Sequence, residues 1–320
     1  MTENALQPAA APLLRPLGFG ELFDRAITLY IRNFWPFLGI VLVMMVPLAL
    51  LQFALDSSQS GQLASVLSQI QHPSRAVPPT LPVFTPVIIV AFVVALVAVF
   101  AVEPIVIAAV AFGVARIYSG RPVEFRECFA GALAHVGRLY GVLATFFLMA
   151  IGAYIALVVV IAFFAVAVIS LATRSTAFAV AAGVIGIVAL LALVAAAILF
   201  AVAGAFAIYG VVIEGMGVFE SIGVAFSRVF SRTEIGRAIL LSICAWLIAF
   251  TGQILIVILA LVAQMAGLIW LDVLLKTLSS ALVYPFSIII IVVYYFDVRI
   301  RREGYDLASK LGQLTAEPPA

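Results

Sequence analysis

Charge is scarce in this 320-residue chain. Its 17 Lys and Arg and 15 Asp and Glu make up 10% of the residues, against roughly 25% in an ordinary soluble domain. With hydrophobic residues at 66%, a soluble fold would have too little polar surface to cover itself. Histidine and cysteine are rarer still, at two each. His72 and His135 have no carboxylate or cysteine partner at metal-ligand spacing, which excludes a histidine-based metal centre. Cys128 and Cys244 sit in unlike contexts that suggest neither a bridge nor a metal site, so both read as small hydrophobes. No phosphate-binding glycine loop, dinucleotide fingerprint or Gly-x-Ser-x-Gly elbow is present. No cofactor, no metal and no catalytic residue is therefore expected, and a net charge of +2 offers no nucleic-acid surface.

What the chain has instead is apolar length. Runs at about 36–55, 86–117, 139–172, 177–213, 237–268 and 277–297 each reach or exceed the roughly 20 residues that cross a hydrocarbon core. An all-α integral membrane protein with six transmembrane helices follows. Residues 1–17 lack the apolar core of an export signal, so the first span is expected to stay in place. The reading divides the chain into an N-terminal tail at 1–17, a membrane domain at 18–304 and a C-terminal tail at 305–320. Within the domain, a Pro-, Ser- and Gln-rich outer loop is expected at 57–85.

With this topology, 14 of the 17 basic residues lie on the side of the termini, and only Arg75, Arg174 and Lys276 lie opposite. Such a bias places both termini in the cytoplasm.

Three short amphipathic stretches precede long apolar ones on that side. Their apolar residues fall at helical spacing: Leu22, Phe23, Ala26, Ile27 and Tyr30; then Phe125, Phe129, Ala132, Leu133 and Val136; then Phe219, Ile222, Phe226 and Val229. Charged residues occupy the opposite faces, among them Glu21, Asp24 and Arg25, then Glu127 and Arg138, then Glu220 and Arg228. Helices of this type lie in the membrane interface, against anionic headgroups. Gly20, Gly120 and Gly217 stand before them, where a bend is needed. The spacing of about 100 residues suggests a threefold internal repeat, each unit an interfacial helix followed by a two-helix hairpin.

Glu103 is the one acid in the middle of an apolar run, beside Pro104. A buried acid is expected to face the bundle interior and to be neutral or paired, while the proline frees backbone carbonyls nearby. Glu103, Pro104 and Tyr284 form the candidate intramembrane polar site. Tyr284 and Ser287 are the two groups that could stand beside Glu103 if the chain were an intramembrane enzyme. At the inner ends, Glu214 and Asp297 are expected to pair with arginines such as Arg228 or Arg25. Together Glu21, Arg25, Glu214, Arg228, Asp297 and Arg299 make a structural clamp.

The segments Leu17-Gly-x-Gly-Glu21-Leu-x-Asp24-Arg25, Val-Ile-Glu214-Gly-Met-Gly and Tyr295-Phe-Asp297-Val-Arg299-Ile-Arg301-Arg-Glu303-Gly304 give the chain a family likeness. It resembles the membrane domains of bacterial glycerophosphoryl diester phosphodiesterases and their stand-alone relatives, over roughly residues 17–307. The resemblance implies a six-helix domain of the bacterial inner membrane. In fused members a soluble barrel carries the phosphodiesterase activity, and the sequence outside this region is too short to hold one, so that activity is not expected here.

Two functions are compatible with this reading. One is a non-enzymatic scaffold or partner subunit that engages anionic lipid, a protein partner or a second copy of itself. The other is a transporter, channel or lipid-handling protein with a midplane site at Glu103.

Overall fold

A computed structural model describes residues 16–71, 86–172 and 176–303. The elements in chain order are α1 Phe19–Arg32, α2 Phe34–Gln71, α3 Pro86–Val97, a π-helical segment Ala98–Val102, α4 Glu103–Tyr118, α5 Phe125–Leu133, α6 Val136–Ala172, α7 Thr176–Glu214, α8 Val218–Val229, α9 Ile235–Met265 and α10 Ile269–Glu303. No strand occurs among the described residues. Hydrocarbon offers backbone groups no partner, so a chain this apolar must bond its own N–H and C=O groups within each segment. By length and composition, six helices can cross a membrane. The chain is an all-helical, multi-pass membrane protein.

Two expectations about the spans are corrected. Residues 57–71, expected to begin the outer loop, continue α2. Leu63, Val66, Leu67 and Ile70 fall at helical spacing, and the first proline comes only at Pro73. The remainder of that loop, 72–85, lies outside the described residues, as do 1–15 and 304–320 of the two tails. The last span starts at Ile269 and not at 277. Asp272 and Lys276, ahead of the expected start, form an i,i+4 ion pair at 2.8 Å inside the helix.

The chain folds as two compact units. The first comprises residues 1–19, 134–244 and 291–320, and in it α6, α7 and α8 pack on one another. Phe206, Tyr209, Tyr294 and Tyr295 form its aromatic centre. Ala203 and Ala207, four residues apart on α7, are fully buried there. Gly141 on α6 keeps the approach to α8 close: a Cβ on it would lie 2.7 Å from Val218 Cγ2.

The second unit comprises residues 20–133 and 245–290. In it α2 packs on α3, α4 and α5, with Phe37, Ile40, Val106 and Val110 among its fully buried residues. Gly120 ends α4 with φ +71°. Its N–H bonds Ile117 O while Arg121 N–H bonds Arg116 O, the pair of bonds that caps a helix through a left-handed glycine.

The short helices α1, α5 and α8 fall where amphipathic stretches were expected, and only part of each apolar face is buried within the protein. In α1 the buried residues are Leu22, Ala26 and Leu29, whereas Ile27 is exposed. In α5 they are Cys128 and Ala132, while Phe125 and Leu133 are exposed. In α8 Ile222, Ala225 and Val229 are buried, Phe219 is 80% exposed, and Arg228 belongs to the buried side. Of the three glycines, Gly20 is corrected, while Gly120 and Gly217 stand before their helices as expected. Gly20 lies inside α1, Gly217 is the extended N-cap of α8, and the left-handed residue before α8 is Gly215.

Membrane burial is uneven. In the most apolar window of α10, 67% of residues are buried, against 6–22% for the other five spans. Exposed Val, Leu, Ile and Phe on those five are what helices of a membrane protein present to hydrocarbon.

Candidate functional site

In the first unit the polar groups converge on α10. Arg228, only 4% exposed, donates from Nη1 to Glu214 Oε1 at 3.0 Å and to Tyr295 Oη at 2.9 Å, and from Nη2 to Glu214 Oε2 at 3.3 Å. Tyr295 donates its hydroxyl to Glu214 Oε1, and the guanidinium lies 5.1 Å from the centroid of the same ring. Arg299 stands 3.6 Å from Glu214 Oε1. Two-point contact with both carboxylate oxygens is what a planar guanidinium does best, and the phenol completes a closed triangle. Gly210 packs close to the turn beside it: a Cβ there would lie 3.3 Å from Met216 Sδ.

Two residues beyond Tyr295 on α10, Asp297 is fully buried. Its Oδ2 meets Arg237 Nη1 and Arg301 Nε, each at 2.9 Å, and its Oδ1 accepts the Leu17 N–H at 2.6 Å. Arg237 returns from Nη2 to the Leu17 carbonyl at 2.7 Å, so this backbone unit is bound at both ends. Glu234 accepts the Tyr294 hydroxyl at 3.1 Å. Arg138 caps the carbonyl of Gly215 at 2.7 Å.

Of the clamp residues named from sequence, the structure joins Glu214, Arg228 and Arg299, and gives Asp297 other partners. Arg25 is not one of those partners: it lies in the second unit with its guanidinium 5.5 Å from the Tyr118 ring centroid. Glu21 is exposed in the first turn of α1. Arg237, Glu234, Tyr294 and the Leu17 backbone were not foreseen. Only Arg301 carried a readable signal, because it stands four residues after Asp297 on one helix.

In the second unit the Tyr284 hydroxyl donates to Glu103 Oε1 at 2.7 Å. Pro104 is buried in the first turn of α4, directly after the π-helical segment. Glu103 N–H bonds Ala98 O, five residues back, so the ladder widens just where the proline supplies no donor. The distortion therefore takes the form of a π segment ahead of Pro104. Ser287 turns its hydroxyl to Val283 O at 3.2 Å. Beside Pro285, the Leu282 carbonyl accepts the Tyr30 hydroxyl at 2.8 Å, which fastens α1 to the disturbed turn of α10. Burial raises the Tyr30 pKa and keeps that donor protonated. Burial likewise raises the Cys128 thiol, with Arg116 opposing it, so the thiol is a poor nucleophile.

Two further acids were missed inside the spans. Asp56 lies at the end of the first span and the fully buried Asp272 at the start of the last, both just outside the expected bounds of 36–55 and 277–297.

Comparison with family models, curated proteins and solved structures finds no match to this chain. What the fold defines is the class: a multi-pass helical membrane protein, with ion-paired carboxylates at Glu214 and Asp297 in the first unit and a Tyr284–Glu103 hydrogen bond in the second.

Proposed function

We propose that this chain is a non-enzymatic scaffold or partner subunit of the cytoplasmic membrane, with both termini cytoplasmic. The observation that carries the reading is the closed pairing of Glu214 with Arg228 and Tyr295. Groups that satisfy one another this fully are holding α8 to α7 and α10, and leave little for a substrate to engage. In this reading α1, α5 and α8 are interfacial helices of a threefold repeat, set against anionic headgroups by the arginines around them. The resemblance to phosphodiesterase membrane domains supports the same assignment to a bacterial inner membrane, without the phosphodiesterase chemistry. The partner is another membrane protein or a second copy of the chain. Crosslinking in intact cells should give one discrete, stoichiometric higher-mass species. A chain that runs only as a lone monomer after crosslinking would remove the proposal.

A second reading is favoured by the Glu103–Tyr284 hydrogen bond beside a π-helical segment, since interrupted helices next to an acid mark ion and substrate paths in many membrane proteins. Here the chain is a transporter, channel or lipid-handling protein with its site at Glu103. Glu103→Gln keeps an acceptor for Tyr284 and removes the charge. It should leave expression intact and abolish the cellular phenotype of the wild-type gene in a deletion strain; full complementation by the variant would exclude this reading.

A further inference from the structure

Tyr284 and Glu103, hydrogen-bonded to each other in the second unit, each stand directly before a proline, Pro285 on α10 and Pro104 on α4. A proline supplies no N–H to the carbonyl one turn back, so each helix is interrupted next to the residue that carries the bond. In α4 the interruption takes the form of the π-helical segment Ala98–Val102, where Glu103 N–H reaches back to Ala98 O. The bond therefore joins two turns that their own helices hold less firmly than regular ones.

The turn of α10 is held from α1 instead. Tyr30 donates its hydroxyl to Leu282 O at 2.8 Å, two residues before Tyr284. Its ring lies 6.4 Å from that of Phe286, the residue after Pro285. One side chain thus touches α10 on both sides of the proline. On its own side the Tyr30 ring meets Phe34 edge-on at 5.5 Å, and Leu22, Ala26 and Leu29 are the buried face of α1. The contact is built on a packed helix and not on a loose side chain.

We infer that Tyr30 positions the Tyr284–Glu103 pair, so that α1 and the intramembrane acid are coupled through the proline-broken turn of α10. The hydroxyl pins Leu282 O while the ring braces Phe286, and together they set the direction in which Tyr284 leaves the helix. When Tyr30 lets go, the turn relaxes and Tyr284 withdraws from Glu103. Coupling between sites requires an element with two arrangements, and here that element is the turn at residues 282–285, held or released. The inference deepens the second reading above and rests on it for its use: Tyr30 is then a positioning residue, and α1 the part of the unit through which a site at Glu103 is controlled. Its test reads the carboxyl itself, so a result against the coupling leaves that reading to its own complementation test.

The full-length protein in vesicles is treated with N,N′-dicyclohexylcarbodiimide, and the labelling rate of Glu103, which is half-buried, is followed by peptide mass spectrometry. A carboxyl that accepts a hydrogen bond is shielded, and loss of one such bond is expected to change the open population roughly three- to tenfold. Tyr284→Phe should raise the Glu103 rate about fivefold, and Tyr30→Phe, which removes one distant hydroxyl, about threefold. The double variant should label no faster than Tyr284→Phe alone, because Tyr30 acts through Tyr284. The thiol of Cys128, fully buried in the same unit, should react with N-ethylmaleimide at the wild-type rate in all three. An unchanged Glu103 rate in Tyr30→Phe overturns the inference. So does a double variant in which the two increases multiply, or a parallel rise at Cys128, which marks general loosening. If Tyr30→Phe does not yield monodisperse protein, Phe286→Leu, which withdraws the ring that Tyr30 packs against, takes its place with the same outcomes.

Discussion

Arg228→Ala should be among the most damaging single substitutions in the chain. It removes the guanidinium that engages both oxygens of Glu214, whose side chain is only 9% exposed, and leaves the carboxylate with Tyr295 and the more distant Arg299. Breaking one side of a buried ion pair costs about 3–5 kcal/mol, because the surviving charge stays desolvated without compensation. On the usual scaling of stability with chain length this is roughly a 10 °C fall in melting temperature, read by thermal unfolding of the purified protein in detergent. The double variant Arg228→Met with Glu214→Gln removes both charges and keeps the volume. It should recover most of the loss, since replacing a buried pair with neutral groups of similar shape is often close to neutral. If the double variant is as unstable as the single one, packing and not charge holds α8 in place.

Asp297→Ala should have an effect of the same order, with a different signature. Three donors converge on this fully buried carboxylate, and one of them is the backbone N–H of Leu17. Its loss leaves Arg237 and Arg301 facing each other without a counter-charge and frees the segment entering α1. Hydrogen exchange at the Leu17 amide should rise at least tenfold, whereas Arg228→Ala should leave it nearly unchanged. Asp297→Asn retains an acceptor for Leu17, so it should preserve much of the amide protection while still lowering the melting temperature. Equal exchange in wild type and Asp297→Ala would show that Leu17 is held by something other than this carboxylate.

The two clusters differ in how visible they were beforehand. Glu103 stood out because it interrupts an apolar run, and its partner Tyr284 was named because few polar groups exist in the spans at all. Where polar residues are this rare, their pairing is nearly forced. At the helix ends polar residues are common, and choosing among them requires knowing which helix faces which. Glu214 with Arg228 follows from short chain separation across one turn. Asp297 with Arg237 and Leu17 does not, since these residues lie 60 and 280 positions apart. Arg228 itself was assigned to a polar outer face by helical spacing, and the structure turns it inward because Glu214 and Tyr295 offer it a complete set of acceptors there.

The membrane character, the number of crossings and the positions of the short helices were open to reading from composition and periodicity, because hydrocarbon permits a long apolar chain few choices beyond helices. Helix ends were less legible. In α2 a helical extension was expected as a polar loop, and α10 begins eight residues before the expected start at 277. Burial was not legible at all: α10 is no more hydrophobic than the other spans, yet its most apolar window is the most buried of the six. In a membrane an apolar face is equally at home against lipid or protein, so hydrophobicity does not say which faces pack. Only the tertiary structure makes that choice, through close-packed residues such as Gly141 and Gly210 and through the charges that have nowhere else to go.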